Sequence, residues 1–184
     1  MNKGPWELES SSRIYRDYFV EVNVDEVTGA DHRKRSYATV KLKPGVAVLA
    51  IDSDSRIYLT KQYRYAISKD SIEVVCGGID EGLEPVSAAK KELQEEIGIR
   101  ADKWTGLGVI NMDTSVIHCP IHLYLASELT TVKPNQEGTE DIAYFTVPFD
   151  DAVDMVLRSN ITHAASSNLI MRAHYQFYVR SDED

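Results

Sequence analysis

The feature that most limits this fold is the run Val46-Ala47-Val48-Leu49-Ala50-Ile51, in which no position is polar. Turn residues bound it, Lys43-Pro44-Gly45 before and Asp52-Ser53-Asp54-Ser55 after, and a short apolar run so bounded reads as a buried strand. It is far short of the ~20 apolar residues of a bilayer span, and no basic-then-apolar leader opens the chain, which predicts an unexported protein outside the membrane. The next segment, Arg56 to Tyr65, alternates apolar and polar side chains with the period of a half-buried strand. A strand around Ser71 to Val75 then runs into Cys76-Gly77-Gly78. A helical period from Glu84 to Ile97 stops at Gly98, a residue suited to the left-handed end of a helix. Strand, glycine loop and helix thus follow one another directly.

The flanks are simpler. Two extended runs, Tyr18 to Asp25 and Arg35 to Leu42, separated by Thr28-Gly29-Ala30-Asp31, predict an antiparallel β appendage over residues 1–43, ahead of a main domain over 44–184. Past the helix, Trp104 to Asn111, Ile121 to Glu128 and Ile142 to Val147 read as strands, with a polar linker from Thr130 to Glu140. Helical segments begin at Pro148 and at Ser166. With 184 residues and 43% hydrophobic side chains, the chain fits one core plus a small appendage. The 20 Lys+Arg against 29 Asp+Glu leave a net charge of −9, which excludes a phosphate-tracking nucleic-acid binder and a polybasic membrane-surface protein. Small anions must therefore meet locally placed cations or metal. Cys76 and Cys119 belong to no Cys-x-x-Cys or Cys/His quartet, so neither a disulfide scaffold nor a structural zinc site is indicated, and a reducing, cytoplasmic home is expected.

The helix carries the chemistry. At about 100° per residue, Val86, Ala89, Leu93 and Ile97 form one apolar stripe, and Glu92, Glu95 and Glu96 gather on its flank. Lys91 reaches Glu95 at i,i+4, while Glu92 and Glu96 form a like-charge i,i+4 pair that disfavours the helix by a few tenths of a kcal/mol, on the order of 0.2–0.5. A divalent cation relieves that repulsion directly, and a hard ion such as Mg²⁺ or Mn²⁺ suits carboxylate oxygens and substrate phosphates. The plainer alternative is a solvated helix face.

The segment Gly77-Gly78-Ile79-Asp80-Glu81-Gly82-Leu83-Glu84-Pro85-Val86-Ser87-Ala88-Ala89-Lys90-Lys91-Glu92-Leu93-Gln94-Glu95-Glu96-Ile97-Gly98-Ile99 resembles the Nudix box. That family's pattern is Gly, five residues, Glu, seven residues, Arg-Glu, an apolar residue, any residue, Glu-Glu, any residue, Gly and an apolar residue. Gly77, Glu92, Leu93, Glu95, Glu96, Gly98 and Ile99 stand in register. Leu83 occupies the place of the first Glu, with Glu84 one position later as a substitute if the loop shifts, and Lys91 replaces the Arg. Together with Gln62-Tyr63-Arg64-Tyr65, Glu73-Val74-Val75-Cys76 and His122 to Ala126, the chain is similar to the branch of ADP-ribose pyrophosphatases and nucleoside-diphosphate-sugar hydrolases.

The resemblance implies an α/β/α sandwich around a mixed sheet, a homodimer joined through the N-terminal segment, and a Mg²⁺ or Mn²⁺ cofactor. It implies metal ligation by the Cys76 carbonyl, Glu92 and Glu96, with Glu95 as a further ligand or a water-orienting group. Arg64 and Glu73, with Gly77 and Gly78 of the loop, are implied to hold substrate, and Glu137 or Glu140 to assist as base. Read as residues alone, Arg64 is a surface arginine, Glu73 an exposed strand carboxylate, and Glu137 and Glu140 solvated loop acids. The implied reaction is hydrolysis of the diphosphate in a small nucleoside diphosphate derivative, ADP-ribose or another nucleoside-diphosphate sugar. The alternatives are dinucleotide or oxidised-nucleotide substrates, or a non-catalytic nucleotide-binding module on the same fold.

Overall fold

A computed structural model of the protein describes residues 2–133 and 142–176. In chain order the strands and helices begin with β1 (Asn2–Lys3), β2 (Trp6–Arg16), β3 (Val20–Thr28), β4 (Lys34–Leu42), β5 (Gly45–Ala50), β6 (Arg56–Arg64), β7 (Lys69–Glu73) and β8 (Val75–Gly78). They continue with α1 (Pro85–Ile97), β9 (Ile99–Asn111), β10 (Ile117–His118), β11 (Pro120–Thr131), β12 (Ala143–Pro148), α2 (Phe149–Leu157) and α3 (Ala164–His174). The chain forms two compact units: residues up to Pro44 with Asn111–Pro120, and the remainder. Among the described residues, no helix is long and apolar enough to cross a membrane.

In the larger unit, β5 sits between β8, antiparallel, and β11, parallel, in the order β8-β5-β11-β9. Every residue of β5 is buried, which explains the unbroken apolar run: a central strand covered on both faces has no solvent position for a polar side chain. Val46, Val48 and Ala50 join Ala88, Ala89, Leu93 and Ile97 of α1 in one apolar cluster, while α3 also packs on β5. With Ala47 and Leu49 pointing the other way, helices cover the mixed sheet in an α/β/α sandwich. A second, antiparallel sheet runs β12-β6-β7.

Helix α1 is terminated as its sequence dictates. Pro85 occupies the first turn, where its missing N–H costs nothing, after an extended Glu84. Gly98 takes the left-handed conformation, φ 64°, and its N–H reaches the carbonyls of Leu93 and Gln94. Leu93, fully buried, locks the stripe to β5; truncating such a side chain to alanine costs about 2–5 kcal/mol.

Two local expectations are corrected. The strand read as Ser71 to Val75 is two strands: β7 pairs with β6 and β8 pairs with β5, so the chain changes sheets at Val74. Its N–H is donated instead to Ser166 Oγ, 3.0 Å away at the start of α3. In the smaller unit, the run expected from Tyr18 begins at Val20, because Asp17 Oδ1 accepts the N–H groups of Phe19 and Val20, each at 2.7 Å, and makes that stretch a turn. There β3 and β4 form the expected antiparallel pair, and β2 pairs along β3 as an unforeseen third strand. Its apolar alternation lasts only from Trp6 to Glu9, and from Glu9 to Arg16 every residue is exposed, too little of a period to mark an 11-residue strand.

Candidate functional site

Helix α1 presents its three glutamates in graded environments: Glu92 and Glu95 are half-buried, and Glu96 is 4% exposed. The β8 strand approaches them at Gly77, where a Cβ built on the backbone would overlap Glu92 Cγ, Cδ and Oε1. A side chain at position 77 would thus occupy the space the Glu92 carboxylate fills, which is the physical reason for glycine there. Lys91 Nζ stands 3.5 Å from Glu95 Oε2 and 3.6 Å from Asp80 Oδ2, tying the loop to the helix through two point-charge contacts. Helical spacing predicts the first of these; the loop contact arises from the fold.

Leu83 packs against the apolar cluster beneath α1. Glu84 caps the helix in an exposed position and makes no side-chain cap hydrogen bond, so it does not move into the place of Leu83. Glu137 and Glu140 lie outside the described residues.

On the other side of Val74, the fold pairs two residues nine positions apart. Arg64 Nε donates to Glu73 Oε1 at 2.9 Å and Arg64 Nη2 to Glu73 Oε2 at 2.5 Å, the planar fork meeting both carboxylate oxygens. The Glu73 side chain is 3% exposed and that of Arg64 39%, so the carboxylate is the inner partner and part of the guanidinium faces out. An exposed strand carboxylate is therefore ruled out for Glu73. Burial pushes its carboxyl upward, but Arg64, the nearby His163 and the Ser71 hydroxyl outweigh it and hold the group below the usual carboxylate range.

Behind this pair lie residues that sequence reasoning missed. His163 Nδ1 is 2.9 Å from Ser166 Oγ and 3.6 Å from Glu73 Oε2. Burial, with the charge of Arg64 added to it, lowers the His163 ring below its ordinary value despite the pull of Glu73. The Cys76 thiol is pushed well up by burial and by the charges of Glu73 and Glu96. The Glu96 charge also acts, weakly, on Arg64. Nothing local in the sequence marks His163 or Ser166, because a fold contact alone brings α3 to the strand switch.

Along α1 the described residues place Glu92 and Glu95 half-buried and Glu96 buried, with Gly77 leaving room for the Glu92 carboxylate, and carboxylate oxygens are the donors a hard divalent cation takes.

Known proteins share this arrangement of chain. An ADP-ribose pyrophosphatase of Bacillus subtilis (strain 168) is 26% identical over 163 residues, 88% of each chain. A methanol dehydrogenase activator of Bacillus methanolicus is 27% identical over 146 residues, 79% of this chain and 74% of that one. The crystal structure of an ADP compounds hydrolase superposes with a TM-score of 0.84, covering 95% of both chains at 18% identity, a likeness of fold. Residues 41–167, well over half of the sequence, match the NUDIX domain model, and the chain belongs to the NUDIX domain family.

Proposed function

We propose that this protein hydrolyses the diphosphate of a nucleoside diphosphate derivative, with ADP-ribose or another nucleoside-diphosphate sugar as substrate and Mg²⁺ or Mn²⁺ as cofactor. The observation that carries this reading is the approach of Gly77 to Glu92, beside the buried Glu96, in the sequence order of the family's box. The Bacillus subtilis relative, matched over 88% of both chains, supports the substrate class.

Glu92, Glu96 and the Cys76 backbone carbonyl would hold the ion, which supplies Lewis-acid polarisation of phosphate oxygens and lowers the pKa of the attacking water. Glu95, already balanced by Lys91, is the carboxylate placed to orient that water or to add a ligand. Arg64, aimed by Glu73, offers its outward guanidinium edge to the anionic substrate, and Gly77 and Gly78 let substrate approach the backbone. Glu137 or Glu140 serves as the assisting base. Water attacks one phosphorus in line; from ADP-ribose the products are AMP and ribose 5-phosphate.

The test is product release from ADP-ribose, GDP-mannose, NADH and diadenosine polyphosphates, with Mg²⁺, with Mn²⁺ and with chelator. Cleavage of one diphosphate sugar that stops with chelator is the expected result. Cleavage confined to the dinucleotides would replace the substrate class. Binding of ADP-ribose by folded protein without cleavage of any compound would favour a binding module.

The N-terminal strands, over residues 1–43, join two copies into a homodimer that works in the cytoplasm. Ile14, Tyr18 and Phe19, exposed by 65%, 69% and 61%, give that unit apolar surface in need of cover. In sedimentation equilibrium the protein is expected at twice the chain mass and Phe19→Asp at the chain mass; a monomeric parent would remove the proposal.

A further inference from the structure

The change of sheets at Val74 gathers three donors of different chemistry, two of which, the Cys76 thiol and the His163 ring, have no side-chain part in the hydrolase reading. One ligand atom from each of Glu73, Cys76 and His163 lies within 4.8 Å of the others. Around a tetrahedral ion with bonds of about 2.0–2.3 Å, neighbouring donors stand roughly 3.3–3.8 Å apart, so shifts of about an ångström close the group. Ser166 Oγ, which accepts the Val74 N–H at 3.0 Å, sits 2.9 Å from His163 Nδ1, a contact that coordination through Nδ1 would replace. Glu73, 3% exposed, turns its Oε2 toward the ring at 3.6 Å.

We infer that Glu73, Cys76 and His163 form a second metal site, selective for a zinc-class ion and distinct from the helix carboxylates in its donor chemistry. Sulfur and imidazole select the ion, because Zn²⁺ accepts soft and borderline donors while Mg²⁺ takes oxygen. Three protein donors leave a fourth tetrahedral position for water. Coordination replaces the thiol proton, which leaves to solvent. Because Glu73 Oε2 also accepts from Arg64 Nη2, the ion and one arm of that pair compete for the same oxygen. No motif spacing could have announced this site, since the third donor comes from the far end of the chain.

Co²⁺ is the probe, titrated with Mg²⁺ in large excess to fill the hard-oxygen carboxylates. The expected result is a thiolate-to-cobalt charge-transfer band that saturates at one equivalent, is displaced by Zn²⁺, persists in Cys119→Ser and Glu92→Gln, and is absent from Cys76→Ser. His163→Gln, which keeps the thiol, weakens Co²⁺ by at least about ten-fold, with circular dichroism confirming that the variant is folded. A band that survives in Cys76→Ser, Co²⁺ binding without any band, or unchanged affinity in folded His163→Gln would each overturn the site. The readout involves no turnover, so it stands or falls independently of the hydrolase reading.

Discussion

Glu96→Gln lowers metal-dependent turnover by at least about a hundred-fold, or roughly 2.7 kcal/mol of transition-state stabilisation, while the protein stays folded. The reasoning starts from burial. Glu96 is 4% exposed between Leu93 and Ile97 of the buried stripe, and glutamine matches its shape, so the core stays filled. What changes is charge. Without metal, the carboxylates at positions 92 and 96 repel one another one helical turn apart, so the neutral variant melts at or above the temperature of the parent. Metal reverses the order: an ion at a hundred times its dissociation constant stabilises the parent by about 2.7 kcal/mol, and the variant by much less. Melting curves with and without Mg²⁺, set beside steady-state rates on the cleaved substrate, check both halves. A parallel loss of stability and turnover would show that Glu96 is a packing residue.

Gly77→Ala produces a comparable loss of turnover through a different atom. The added Cβ would overlap the outer half of Glu92, from Cγ to Oε1, and those atoms belong to a flexible side chain that swings aside more readily than strand β8 can shift. The backbone at Gly77 lies outside the left-handed region, so alanine brings no strain of its own. We expect turnover to fall by about a hundred-fold and metal to bind more weakly, with unfolding free energy changed by under about 1 kcal/mol. A double-mutant cycle checks the route: in a Glu92→Ala background, Gly77→Ala should cost far less in turnover, the remainder being its part in substrate approach. Additive losses would show that Gly77 matters for something other than making room for Glu92.

Legibility along this chain follows the distance over which the determining contacts act. Helix α1 was readable to within a residue because its apolar period, its proline start and its glycine stop are all local. The Lys91 contact with Glu95 was readable for the same reason, being one helical turn long. Strand β2 was not, since it is held by its ladder with β3 and, past Leu8, leaves its side chains in solvent. The packing of Leu83 against the apolar cluster was equally hidden, because its partners come from the fold and not from the loop.

By itself, then, the amino-acid order determined the family, the carboxylate flank of α1 and the place of Gly77 in the loop before it, all within one continuous segment, while the approach of Gly77 to Glu92 came from the fold. Tertiary structure alone decided the rest of the site. It paired Arg64 with Glu73 by laying β7 against β6, broke the strand at Val74, and brought Ser166 across 92 positions to accept the N–H the break released. A buried donor must find an acceptor wherever the fold offers one, and that need is satisfied in space, at a sequence separation no local pattern can record.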